Sequence, residues 1–218
     1  MLTTFIRYGK WVVFAIVILC DVQVSAQQPS GYNPLEYHSI QLGTAKSMTG
    51  RFQLASPALH ISVKAGTVAA NVVERLLTAS KAEYLKHYFA LDDAGRLQML
   101  LVPRSASGED IVSSRILTAN GLYLPESTAR KWIQAYAKSE MFTKFGKVYA
   151  TSIHADAIRA VVKKNNATTL NFYFANTDDS RMTTVVSGNT SDGTEATAYI
   201  ADRTCCPPDI DGGGELSK

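Results

Sequence analysis

The chain writes one phrase twice. "YFALDDAGRLQMLLV" begins at Tyr88 and "YFANTDDSRMTTVVS" at Tyr173. Without a gap, residues 70–102 and 155–187 share eight identities in 33 positions, where chance gives about two at ordinary residue frequencies. Ala70, Ala82, Leu85, Tyr88, Phe89, Ala90, Asp93 and Arg96 are each matched by the same residue type in the second stretch. A gapless repeat of this length reads as a duplicated unit, so any fold proposed for one half must serve the other.

The unmatched positions keep the same physical pattern. Val72, Val73, Leu76 and Leu77 face Ala157, Ile158, Val161 and Val162, and both sets place an apolar stripe along one side of a helix. With a one-residue slip, "TAKSMTGRF" from Thr44 resembles "TARKWIQAY" from Thr128, aligning Met48 and Phe52 with Trp132 and Tyr136. In "YLKHYFAL", alternation sends Leu85, His87, Phe89 and Leu91 to one face and Tyr84, Lys86, Tyr88 and Ala90 to the other. "DDAG" and "TDDS" are turn-formers between two strands in each copy.

Each half therefore reads as helix, helix, strand, turn, strand and a further strand. The predicted class is α+β: two tandem homologous units, 40–117 and 124–202, joined by 118–123, each with about two helices packed on an antiparallel hairpin-based sheet. The Leu85 face is expected against the helices, and the two sheets are expected to meet edge to edge about a pseudo-twofold. Tyr88 and Tyr173 then fall on the face away from the helices and become candidate binding residues.

The segments outside the repeat carry different signals. Residues 1–26 have the basic n-region (Arg7, Lys10), the apolar run "WVVFAIVILC" and the closing "VSA" of a signal peptide. That apolar run is too short for a membrane span, which wants about 20 residues. Cleavage is expected near Ala26, against a lipid anchor at Cys20, where Leu19 is bulkier than such processing favours. The protein is thus expected to be exported to periplasm, cell surface or medium, with no transmembrane span after cleavage. Residues 27–39 form a polar lead-in. From Gln27 onward basic and acidic groups nearly balance and no long basic run stands out, which argues against a nucleic-acid partner. The partner is read as an unidentified protein or small ligand, and the oligomeric state is left open.

Candidate chemistry is sparse. Asp92–Asp93 and Asp178–Asp179 sit at hairpin tips, where turn formation explains them better than calcium binding or acid–base work. His154 and Asp156 stand at a helix start, where capping competes with a His–Asp dyad. No histidine pair has metal-ligand spacing, and "DIDGGGE" from Asp209 lacks the acids of a calcium loop, so neither metal nor cofactor is expected. Nucleophile elbow, phosphate loop and dinucleotide fingerprint are all missing. After cleavage the chain retains Cys205 and Cys206, adjacent in the Pro/Gly-rich tail 203–218. Adjacent cysteines close no long loop. A vicinal or intermolecular disulfide comes first, then free thiols, then soft-metal binding.

From Leu124 to Pro208 the chain resembles an uncharacterised family of exported bacterial proteins. Thr128, Ala129 and Trp132 on a helix, Ile158 on a second, the Tyr173–Asp179 hairpin, Gly193, and Cys206-Pro207-Pro208 carry the likeness. Members have a further cysteine shortly after the prolines, where this chain has Asp209 and Ile210 and places its second cysteine at Cys205. The resemblance implies export and supplies no activity.

The leading expectation is a non-enzymatic binding or interaction protein at the cell envelope, with a groove between the copies as its site. One alternative is a hydrolase using His154 and Asp156, or Asp178 and Asp179, in that groove. Another is an immunity- or inhibitor-type protein with an apolar patch around Tyr88 and Tyr173.

Overall fold

The computed structural model describes residues 32–55, 62–202 and 216. The segment expected to be a signal peptide, residues 1–26, and the adjacent Cys205 and Cys206 lie outside them. Among the described residues the class is α+β, with six helices and two five-stranded antiparallel sheets.

The first half runs α1 (Pro34–Tyr37), β1 (Ser39–Ile40), α2 (Leu42–Ala55), β2 (Lys64–Ala69), α3 (Ala70–Ser80), β3 (Tyr84–Leu91), β4 (Leu97–Arg104) and β5 (Arg115–Thr118). The second runs β6 (Tyr123–Pro125), α4 (Glu126–Ala137), α5 (Glu140–Lys144), β7 (Ala150–His154), α6 (Ala155–Asn165), β8 (Thr169–Asn176), β9 (Met182–Asn189) and β10 (Glu195–Asp202). Three elements (α3/α6, β3/β8 and β4/β9) recur with both ends at matching positions of the repeated stretches. The left-handed positions match too: Lys81 and Asn166 cap α3 and α6 at φ 52 and 49, and Gly95 and Ser180 close the hairpin turns at φ 73 and 63.

The halves are not self-contained layers. One sheet has the order β1-β10-β9-β8-β2 and the other β6-β5-β4-β3-β7, so each is completed by two strands from the opposite half. The sequence reading of helix following helix missed β2 and β7, the strands that make this exchange. Nor do the sheets join edge to edge. Both hairpins carry an apolar inner face, and these faces bury each other: His87 meets Phe172 with ring centroids 5.4 Å apart, and Phe89 meets Phe174 at 6.2 Å. The Leu85 face thus looks mainly at the opposite sheet, where helices were expected.

The helices take the outer faces and the ends. On α2, Ala45 and Met48 cover Ala175, Val185 and Ile200 of one sheet; on α4, Ala129 and Ile133 cover Tyr88, Ala90, Leu100 and Ile116 of the other. One turn further on, Phe52 and Tyr136 dip into the central core, where Phe52 packs between Phe145 (5.4 Å) and Phe174 (5.5 Å). Four-residue spacing on a helix produces this split, since i and i+4 share a face but lie one turn apart. α3 and α6 send Val73, Leu77, Ile158 and Val161 into the central core.

Candidate functional site

A cleft of about 520 Å³ opens beside the β3–β4 turn. Its apolar floor is Phe174 of β8, Met141 of α5, Leu97 and Ala65; its polar rim is Ser62, Lys64, Arg96, Gln98 and Asn120. Gly66 sets how closely the walls approach, because a Cβ there would lie 2.2 Å from the carbonyl oxygen of Ala119. The turn itself is rigidly made. Asp92 accepts from the backbone N–H of Ala94 (3.0 Å) and Arg96 (2.9 Å), from Arg96 Nε (2.8 Å) and from Gln98 Nε2 (3.0 Å). Burial pushes the Asp92 carboxyl up, but these bonds outweigh it and hold the pKa below the ordinary value. Arg96 is thereby anchored through Nε, with the rest of its guanidinium in the solvent-exposed rim. Lys64 Nζ stands 5.9 Å from the Tyr173 ring centroid. The rim carries two cationic groups over an apolar floor, an arrangement suited to an anionic ligand with an apolar body.

The sequence-nominated residues lie elsewhere. His154 is the N-cap of α6: its Nδ1 accepts from the Asp156 backbone N–H at 3.1 Å. That bond places the ring proton on Nε2, which faces Glu83 at 3.6 Å. In this arrangement His154 and Asp156 form a helix cap, with Nδ1 also 3.8 Å from the Asp156 carboxylate. Burial lowers the His154 pKa, with Asp156 and Glu83 opposing. Asp178 pairs with Arg51 of α2 at 2.8 Å, and Asp179 accepts from Thr177 within the turn. The equivalent Asp93 binds Lys131 at 2.8 Å and Trp132 Nε1 at 3.2 Å, so each hairpin tip is pinned to the helix covering its own sheet.

Tyr88 is fully buried beneath α4, which removes the open apolar face expected around it. Tyr173 is half-buried and donates its hydroxyl proton to Glu195 at 2.7 Å; burial, then Glu195, raises its pKa. Among the described residues no three His, Cys, Asp or Glu side chains gather as a metal site, and no helix is long and apolar enough to cross a membrane. Sequence reasoning missed the rim cations. Lys64 opens an unread strand, and Arg96 was seen only as a repeat identity.

No family model, curated protein or solved structure matches this chain.

Proposed function

We propose that this is an exported, non-enzymatic binding protein whose ligand site is the cleft rimmed by Lys64 and Arg96. The observation that carries the reading is the separation of chemistry from concavity. The candidate acid–base groups are spent on a helix cap and two turns, while the cleft offers cations, amides and an apolar floor. Its ligand is an anion, a carboxylate or phosphate ester of modest size. The leader-like segment ahead of Gln27 and the resemblance of 124–208 to exported proteins support the envelope location.

Thermal unfolding of the mature chain with citrate, inorganic phosphate or neutral glucose tests this. A specific site at 100-fold saturation adds about 2.7 kcal/mol of stability. Citrate or phosphate should raise Tm in a saturable way, and a Lys64→Ala/Arg96→Ala double variant should lose that rise. An anion effect that persists in the double variant is general salt exclusion and overturns the reading, as does no effect at all.

A further inference from the structure

Among the described ion pairs, Lys86–Asp110 alone has both side chains buried, at 1% and 0% exposure, with Nζ 3.2 Å from Oδ1. Lys86 lies on β3 between Val102 and Ser152 of the flanking strands, and Asp110 follows β4 in the turn bridged to Arg104. Tyr88, two positions along β3, donates its hydroxyl proton to the other oxygen, Asp110 Oδ2. The Tyr88 ring lies under Nζ, 4.5 Å from its centroid, where the cation–π attraction fixes the amine.

Amine and carboxylate do not condense in water because hydration stabilises the charged pair. Burial withdraws that hydration. Holding the two groups together adds an effective molarity of about 10⁵–10⁸ M for a well-oriented pair.

We propose that Lys86 and Asp110 join in an intramolecular isopeptide bond. One proton passes from Nζ to Oδ1, leaving a neutral amine and acid. The Nζ lone pair attacks Cγ, and the charge developing on Oδ2 is held by the Tyr88 O–H, as an oxyanion donor does. Oδ1 takes a second proton from Nζ and leaves as water. The third Nζ hydrogen remains on the new amide, whose carbonyl oxygen keeps its bond from Tyr88. Ammonium and carboxylate become amide and water, with no oxidant or co-reactant. The link closes a ring over the β3–β4 hairpin and its following turn. It gives a covalent staple to a chain whose two mature cysteines, being adjacent, cannot close a comparable loop.

Intact-mass spectrometry of the denatured, reduced full-chain product decides it. The mass should be one water below that of the sequence from whichever N-terminus is found. Peptide mapping should return a branched species joining the Lys86 and Asp110 peptides, and Lys86→Arg should show the full mass. An unmodified wild-type mass, or a water loss mapping elsewhere such as a succinimide at Asp192-Gly193, overturns the proposal and leaves an ion pair.

Discussion

His87 is a weak point of the core, and replacing it with phenylalanine should strengthen the protein. The imidazole is fully buried between the sheets, edge-on to Phe172, with Leu101 and Thr151 as its cross-strand neighbours. Neither ring nitrogen has a hydrogen-bond partner. Leaving a buried polar group unsatisfied costs about 1–3 kcal/mol. Phenylalanine already occupies the equivalent position of the second stretch, Phe172 itself. Allowing for the slightly larger ring, His87→Phe should gain about 1–2 kcal/mol near neutral pH.

Acid makes the difference larger. Burial, aided by the neighbouring charge of His38, lowers the His87 pKa from 6.5 to about 3. The unfolded chain takes up a proton as pH falls through 6.5 and the folded chain does not, so stability is lost progressively between pH 6.5 and about 3. The slope from this one group is at most about 1.4 kcal/mol per pH unit. From about pH 7.5 to about pH 4.5 the advantage of His87→Phe should therefore widen by about 2–3 kcal/mol. Urea unfolding at several pH values, followed by the half-buried Trp132, measures both quantities. His87→Leu separates them, since it loses packing yet should flatten the pH dependence equally. Parallel pH dependences for wild type and both variants would refute the reasoning.

Four further perturbations test other joints. Gly66→Ala should cost about 3 kcal/mol or more by urea denaturation, because the new Cβ meets the Ala119–Asn120 peptide backbone, whereas Gly50→Ala on α2, with open space around it, should gain about 0.5–1 kcal/mol. Asn165 is buried and serves the β10 irregularity, donating to the Tyr199 carbonyl at 2.7 Å and accepting its N–H at 3.0 Å. Asn165→Ala should cost about 2 kcal/mol or more, with faster amide exchange at Tyr199 than in wild type. Residues 32–120 alone lack β6 and β7 and expose both edges of β3–β5, so size-exclusion chromatography with circular dichroism should find no folded monomer.

What the sequence made legible is what neighbouring residues decide. The hairpin β8–β9 follows from alternation around a turn cluster, and the His154 cap follows from a polar side chain at a helix entry. That Met48 and Phe52 share a helical face was readable from four-residue spacing, though the place of Phe52 in the central core was not. β2 and β7 escaped because "KAGTVA" and "ATSIH" pair only with the opposite half, as in Val68 against Leu170 or Ile153 against Leu85. Local periodicity holds no trace of a partner so distant along the chain. The same exchange explains the misassigned faces. Alternation placed Lys86 and Tyr88 together and opposite His87, which is how they lie, but it could not say that the His87 side meets a second sheet and the Tyr88 side a helix. Once α4 closes over Tyr88, Lys86 on that face needs a buried counter-charge, and Asp110 supplies it from a Ser/Gly turn with no pattern of its own. The cleft is harder still to read, since separate segments line it and only Arg96 and Phe174 carry repeat identities. Duplication would fix the scaffold twice over, while the candidate chemistry is partly shared between the copies, as with Arg96 and Tyr88, and partly not: His87 stands for Phe172, Lys86 for Asn171, and Gln98 in the cleft for Thr183 in the core.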